Sequence, residues 1–297
     1  MIDNYLLTIF TPTYNRAHTI IRTYESLCRQ SRKDFIWLII DDGSQDNTRL
    51  LVEQWLKNDN EFIIRYIYKE NGGMHTAHNV AYENIDTVLN MCIDSDDCLA
   101  KQAIEEIYAK WEKIKDENYA GIIGLDSDLE GNIIGTDFSE DMKETTLTGY
   151  YGQGGKGDKK LVYRTEIIKK YPSYPVFEGE KYFGLDYKYR MIDQDYKMST
   201  LNVVLCNVEY QQDGSSATMW KQYLRNPKGF AFLRIFYLKY AASKKRIFID
   251  AAHYVSSSLI SKNWDFLRKS PKKVITLCVI PAGVILAGVT VIKGKWV

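Results

Sequence analysis

Two apolar runs in this chain stop abruptly at paired carboxylates. Phe35-Ile36-Trp37-Leu38-Ile39-Ile40 ends at Asp41-Asp42, and Val88-Leu89-Asn90-Met91-Cys92-Ile93 ends at Asp94-Ser95-Asp96-Asp97. Short, largely apolar runs bounded by turn-forming residues read as buried strands. In open α/β sheets, ligands sit just beyond the carboxyl ends of the strands. Clustered carboxylates at that place suit a hard divalent cation that also holds phosphate oxygens. The two runs therefore predict a nucleotide–metal site at the edge of a parallel sheet.

The surrounding rhythm fits such a sheet. Leu6–Phe10 predicts a first strand, and His18–Gln30 has helical spacing with Ile20, Ile21, Tyr24 and Leu27 on one side. The second strand is Phe35–Ile40, after which Asp46 or Asn47 is placed to cap a helix running to about Lys57. Phe62–Tyr68 predicts a third strand, and Asn71-Gly72-Gly73 a loop before a helix through His78, Ala81 and Tyr82. Val88–Ile93 is the fourth strand, with a helix from about Lys101 to Lys115 behind it. Such alternation makes a parallel, right-handed βαβ layout the default. After residue 118 the rhythm changes. Ala120–Leu125, a turn at Asp128–Asn132 and Ile133–Gly135 read as a hairpin. A glycine-rich loop, Gly149–Gly157, precedes a strand at Leu161–Arg164 and a short helix ending near Tyr171-Pro172. Gly184–Met191 reads as helix and Leu201–Tyr210 as a late strand.

Charge divides the chain more sharply than its net value of +1 suggests. From Lys221 onward there are 15 Lys and Arg against Asp250 and Asp265 alone, leaving 24 basic and 36 acidic residues before it. The two parts must face different environments. Five scattered cysteines without a CxxC spacing argue against a disulfide framework or a zinc site and fit a reducing cytosol. The N-terminus shows no signal-peptide pattern. Val274–Ile292 holds 19 consecutive uncharged residues, bracketed by Lys272-Lys273 and by Lys293, Lys295 and Trp296. As one helix it would span roughly 28 Å, close to a bilayer core. Pro281, Gly283 and Gly288 leave a kinked or half-inserted helix open, and a buried core helix is the plain alternative. Flanking lysines and a terminal Trp favour the membrane interface, and the preceding basic, aromatic stretch suits anionic headgroups. A solvated basic face or a nucleic-acid patch is its competitor. The expected boundaries are a catalytic domain over 1–218, divided near 118, and a C-terminal helical region over 219–297.

Asp42 is placed to accept hydrogen bonds from a base N–H or a ribose hydroxyl, although Asp-Gly-Ser is also an ordinary turn. Asp94-x-Asp96 is the metal candidate, with helix capping by Asp96 or Asp97 as the alternative. Asp126-Ser127-Asp128 and Asp193-Gln194-Asp195 repeat the pattern in weaker contexts, a hairpin turn and a polar stretch.

Taken together, Thr11-Pro12-Thr13-Tyr14-Asn15-Arg16, Ile40-Asp41-Asp42-Gly43-Ser44, Asn71-Gly72-Gly73 with His78-Asn79, and Asp94-Ser95-Asp96-Asp97 resemble glycosyltransferase family 2. The resemblance is close over about residues 5–115 and continues to about 215. It implies a GT-A fold, a Rossmann-like mixed and mainly parallel sheet flanked by helices, here followed by a membrane-associating helical tail. It implies that Thr11, Pro12, Tyr14 and Arg16 lie around the nucleoside and that Asp42 binds the base. Asn71, Gly72, His78 and Asn79 would border the nucleotide and donor sugar. Asp94 would touch ribose or sugar with Ser95 beside it, and Asp96 would hold Mn²⁺ or Mg²⁺.

An inverting transfer needs a carboxylate to deprotonate the acceptor hydroxyl. The family usually supplies it from a Glu-Asp pair opening a late helix. Glu178–Asp186 resembles that segment with Leu185 in the Glu position, so Asp186 is the expected base and Glu180 the second choice. A helix N-terminal carboxylate that only complements the dipole is the plain alternative for Asp186. Asp213-Gly214-Ser215-Ser216 reads as a flap. Gln222-Tyr223-Leu224-Arg225 is similar to the QxxRW string of processive synthases, but Asn226 replaces the Trp and favours single-sugar transfer. The expectation is a metal-dependent enzyme at the cytoplasmic face of the membrane. It would transfer sugar from a UDP-sugar to a saccharide acceptor such as a polyprenyl-diphosphate-linked one. No nucleic-acid partner is expected, and the oligomeric state is left open. A nucleotidyltransferase and a non-enzymatic membrane-tethered nucleotide-binding module are the rivals.

Overall fold

The structure is a computed structural model and describes residues 5–209, 211, 218–240 and 243–296. Its first segment alternates as the sequence predicts: β1 (Leu7–Thr13), α1 (Ile20–Cys28), β2 (Phe35–Asp41), α2 (Thr48–Trp55), β3 (Ile63–Tyr68), α3 (Met74–Asn84) and β4 (Leu89–Cys92). β1 pairs in parallel with both β2 and β4, and β2 pairs in parallel with β3. Every residue of β1 and β2 is buried. That two-sided burial is why Phe35–Ile40 is apolar without alternation. Because all four strands run the same way, their carboxyl ends reach one edge.

The chain continues through β5 (Cys98–Leu99), α4 (Ala103–Ile114), β6 (Tyr119–Ser127), β7 (Glu144–Thr145), α5 (Leu147–Gly152), β8 (Lys159–Arg164), α6 (Thr165–Lys170), α7 (Asp186–Asp195) and β9 (Lys197–Asn207). The sheet order is β3-β2-β1-β4-β8-β6-β9-β5, with β7 on β9. β8 runs antiparallel to β4 and β6, so the sheet is mixed beyond its parallel half. The expected hairpin is short, held by Asp128 N donating to Asn132 O and Ile134 N to Asp126 O, both at 2.9 Å. Ser127 makes an isolated bridge to Ile133, while β6 spends its ladder on β8 and β9. Local turn signals at Asp128–Asn132 were sound, but long-range partners captured the strand. On the helix side of the parallel half, Tyr24 stacks on Trp55 at 4.4 Å and Phe35 on Phe62 at 4.7 Å. Ile104, Ile107 and Trp111 of α4 join the same core.

Two compact units are present. The first comprises residues 1–173 and 188–210, and the second 174–187 and 211–297. The segment Tyr174–Tyr187, which the sequence reading groups with the catalytic domain, thus clusters with the C-terminal helices. These are α8 (Met219–Arg225), α9 (Pro227–Tyr240), α10 (Lys244–Ile260), α11 (Phe266–Lys269), α12 (Lys273–Cys278) and α13 (Ile280–Trp296). Within this unit Asp250 is fully buried and takes Arg234 at 2.6 Å and Arg246 at 3.0 Å. Asn226 earns its place structurally, since its side-chain oxygen accepts from the backbone N–H groups of Lys181 and Tyr182.

The single spanning helix considered for Val274–Ile292 does not form. The segment breaks at Val279 between α12 and α13, and no helix among the described residues is long and apolar enough to cross a membrane. Pro281 sits at the second position of α13, where its missing N–H costs nothing and favours a helix start.

Candidate active site

The loops that follow β1, β2, β3 and β4 meet at the carboxyl edge and are tied together by hydrogen bonds. After β1, Asn15 takes a left-handed backbone at φ 53°. Its N–H donates to Ser44 Oγ at 2.9 Å, and its side-chain oxygen accepts from Gln45 N at 2.8 Å. The N–H of Arg16 donates to Thr48 Oγ1 at 3.2 Å and that of Ala17 to Asp46 Oδ2 at 3.0 Å. Thr11 is buried with its hydroxyl accepting from Trp37 Nε1 at 2.9 Å, and Pro12 is buried beside it. Tyr14 stands 45% exposed and Arg16 is half-buried, so these two of the four residues assigned to the nucleoside reach solvent.

The two aspartates after β2 have separate tasks. Asp41 is fully buried and accepts from Ser44 N at 2.7 Å and from the Tyr66 hydroxyl at 2.6 Å, which makes it a brace for the turn. Asp42, 3% exposed, is the hub of the next loop. Its Oδ1 takes Lys69 Nζ at 2.5 Å and Gly72 N at 2.9 Å, and its Oδ2 takes Gly73 N at 2.7 Å and Asn71 Nδ2 at 3.1 Å. The sequence reading placed Asp42 against a nucleobase. In the structure its oxygens hold the Asn71–Gly73 loop, so any base contact would share or replace one of these bonds. His78, assigned to the donor border, is enclosed completely. Phe10 meets its ring edge-on at 5.0 Å and Tyr82 Oη lies 3.2 Å from Nδ1. Burial holds it at about 3, hence neutral. An enclosed ring shapes the floor of the site rather than its lining.

After β4, Asp94 and Asp96 are half-buried while Ser95 and Asp97 are buried. Arg22 donates to the Asp96 carbonyl at 3.2 Å and Thr23 Oγ1 to the Asp97 carbonyl at 2.9 Å, fixing the loop to α1. The capping alternative fails: α4 starts at Ala103 behind Gln102, with no side-chain cap bond. Burial pushes the Asp96 carboxyl up, and the neighbouring Asp94 charge adds to it against Arg16 and Arg22. Asp97 is pushed up to about 7 by burial, with Lys160 at 3.8 Å opposing. Two neighbouring carboxylates in partial burial suit a hard cation. Among the described residues no three His, Cys, Asp or Glu side chains form a cage. A Mg²⁺-type ion shared with phosphates needs only one or two protein carboxylates, so Asp94 and Asp96 fit it.

The family model for glycosyl transferase family 2 matches residues 8–171, more than half of the chain. The chain belongs to glycosyltransferase family 2. Among solved structures, TarS 1–349 of S. aureus in complex with UDP-GlcNAc superposes with a TM-score of 0.62 at 15% identity, covering 95% of this chain and 90% of that one. The mannosyltransferase PcManGT of Pyrobaculum calidifontis, in complex with GDP-Man and Mn²⁺, gives 0.55 at 16%, covering 98% and 82%. At such identities the likeness establishes the fold, which is GT-A. In sequence, the teichoic acid poly(glycerol phosphate) polymerase of Staphylococcus epidermidis is 38% identical over 99 residues, 33% of this chain and 14% of that protein. Its similarity to this family 2 chain thus spans about a seventh of the relative's own length.

The family's expected base, Asp186, opens α7 and belongs to the second unit. The Tyr237 hydroxyl lies 2.8 and 2.7 Å from its two oxygens. Glu180, the second choice, is spent elsewhere: its two oxygens accept from Lys228 N and Gly229 N, both at 2.8 Å, at the start of α9. Asp193 of the weaker Asp-x-Asp string likewise holds the first turn of α5 through Leu147 N and Thr148 N. Sequence reasoning missed Lys69, Arg22, Lys160 and Tyr237, since single residues far along the chain give no local pattern. It also set aside Asp126, which is buried at the end of β6 and pushed up by burial, with Lys160 opposing and Asp94 contributing. Asp213–Ser216, read as a flap, lies outside the described residues.

Proposed function

We propose that this chain is an inverting glycosyltransferase that moves one sugar from a nucleoside diphosphate sugar, UDP-linked, to a saccharide acceptor. The observation that carries the reading is the half-buried Asp94–Asp96 pair at the end of β4, where burial and the Asp94 charge push the Asp96 carboxyl up against Arg16 and Arg22. It lies on the same edge as the laced loops after β1, β2 and β3. Bound there by Asp96 with Asp94, Mn²⁺ or Mg²⁺ would supply Lewis-acid help to a diphosphate leaving group. Tyr14 and Arg16 would border the nucleoside over the buried Thr11 and Pro12. The loop Asn71–Gly73, set by Asp42, would border the donor with Asn79, and Ser95 would support Asp94. Asp186 would accept the proton of the acceptor hydroxyl as its oxygen attacks the anomeric carbon, with Tyr237 fixing the carboxylate.

The UDP-GlcNAc and GDP-Man named with the two structural neighbours support a nucleotide-sugar donor, and Mn²⁺ with one of them supports the metal. The relative named as a teichoic acid polymerase supports work on a cell-surface polymer. A polyprenyl-diphosphate-linked acceptor at the cytoplasmic face of the membrane is the reading that suits the basic C-terminal unit. The test is thermal unfolding with UDP, GDP or CMP, with and without Mn²⁺, because a ligand that binds only the folded state raises the midpoint. A UDP shift that needs Mn²⁺, and UDP release from a UDP-sugar, are the expected results. Diphosphate release from a nucleoside triphosphate would instead indicate a nucleotidyltransferase. Binding without any turnover in the presence of acceptor lipids would leave only a binding module.

A further inference from the structure

The helix α13 is built inside out. Its protein-facing side is Gly283, Thr290 and Gly294, spaced seven and four residues apart on one helical face. A Cβ on Gly283 would lie 2.5 Å from Val255, and one on Gly294 would lie 2.8 Å from Leu224, so small residues there let the backbone approach α10 and α8 closely. The opposite side carries the large apolar residues: Val284 is 51% exposed, Ile285 69% and Ile292 63%. In α12, Val274 and Leu277 are exposed by 75% and 56%. A surface helix of a water-soluble protein shows the reverse arrangement, with its apolar stripe inward. An apolar face of this kind marks a site of interaction.

We propose that the outward face of α12 and α13 docks on a lipid surface bearing anionic headgroups, with the helices lying in the plane of the interface. The charge pattern selects this occupant. Lys272 and Lys273 stand at one end of the apolar stretch and Lys293 and Lys295 at the other, with no charge between. The two acids of this region are already engaged, Asp250 by Arg234 and Arg246 and Asp265 by Arg268 at 2.9 Å. Apolar side chains entering the acyl boundary while flanking lysines meet headgroup phosphates is how interfacial helices bind. An in-plane pose also follows from packing: one side of α13 is occupied by α10 and α8, so lipid cannot surround it. The inference sharpens the membrane-associated part of the reading above and does not depend on the donor.

The experiment is co-sedimentation of the full chain with phosphatidylcholine vesicles, with and without phosphatidylglycerol, alongside Ile285→Glu/Ile292→Glu and a Lys272, Lys273, Lys293 and Lys295→Gln variant. Both side-chain sets are exposed or at exposed ends, and an unchanged melting midpoint with an unchanged UDP response would confirm intact folding and donor binding. The wild type is expected to pellet with phosphatidylglycerol vesicles and to lose that binding at least tenfold in the glutamate variant. The glutamine variant should lose its preference for the anionic vesicles. Wild-type protein remaining in the supernatant would overturn the proposal, as would a glutamate variant that pellets equally well. A wild-type dimer in solution that the glutamate variant converts to monomer would give the face to a second copy and overturn it too.

Discussion

Replacing Asp42 by Asn is usually regarded as mild, and the structure predicts that it is severe. All four partners of the carboxylate are donors: Lys69 Nζ and Gly72 N on one oxygen, Gly73 N and Asn71 Nδ2 on the other. An amide has one acceptor oxygen and one NH₂. Whichever way it is flipped, the NH₂ faces a donor pair. Each unmatched buried donor costs about 1–3 kcal/mol, and Lys69, 18% exposed, also loses its counter-charge. Breaking a buried pair by removing one partner costs about 3–5 kcal/mol, which is consistent with the hydrogen-bond count. For a unit of this size each kcal/mol moves the midpoint by about 2–4 °C, so a fall of roughly 6–20 °C is expected. The assay is scanning calorimetry of the free protein, resolved by unit if two transitions are seen. A midpoint within about 2 °C of wild type, less than one kcal/mol, would show that these donors are not committed to Asp42 and refute its role as hub.

Asp96→Asn should behave oppositely. Burial and the Asp94 charge already disfavour its carboxylate, so the free variant should melt no lower than wild type while the Mn²⁺-dependent part of the UDP shift disappears; a lower midpoint would contradict this. Tyr237→Phe removes a hydrogen bond to a charged group, worth about 1.5–3 kcal/mol, and should slow UDP release from a UDP-sugar by roughly 10- to 150-fold. UDP binding should stay unchanged, and unaltered turnover would remove Tyr237 from the mechanism. His78 titrates at about 3 when folded, below its ordinary value of 6.5. The unfolded chain therefore binds more protons between those values, so the stabilisation is full above pH 6.5 and shrinks as pH falls. From pH 7 to pH 5 the loss is about 2 kcal/mol. Asp97, folded near 7, acts in the opposite sense over the same interval. Urea midpoints of wild type and His78→Gln at both pH values isolate the histidine by difference, and parallel pH slopes would refute its burial as the cause.

The parallel half was legible because its signals are local. Each of β1 to β4 is a short apolar run with turn residues at its end, and each helix between them shows an apolar side. In the mixed half the strands at Ala120–Leu125, Leu161–Arg164 and Leu201–Tyr210 were legible but their pairing was not, because β6, β8 and β9 are held by partners up to about eighty residues apart and no short pattern encodes such pairing. At the site, the motif residues were legible and their mutual arrangement was not. Nothing in Asp42-Gly43-Ser44 announces Lys69, and nothing near Asp186 announces Tyr237 on α9, fifty-one residues later. The spanning alternative for the C-terminal stretch failed for a related reason. Hydropathy of Val274–Ile292 counts apolar residues but ignores which side of a helix they occupy, and here Gly283 and Thr290 face the protein while Ile285 and Ile292 face out.

Asp42 and Asp96 stand at corresponding places, each just past a parallel strand, yet the fold treats them differently. Asp42 is given four donors and disappears from the surface; Asp96 is given a like-charged neighbour and left half open. In the free protein the Asp96 carboxylate is disfavoured, because burial and the Asp94 charge outweigh Arg16 and Arg22. A cation arriving from solution would relieve that cost. Strain of this electrostatic kind separates a binding carboxylate from a bracing one more sharply than the Asp-x-Asp spacing does. Asp193 shows the difference within the same chain: it has the spacing, but its oxygens already hold the first turn of α5.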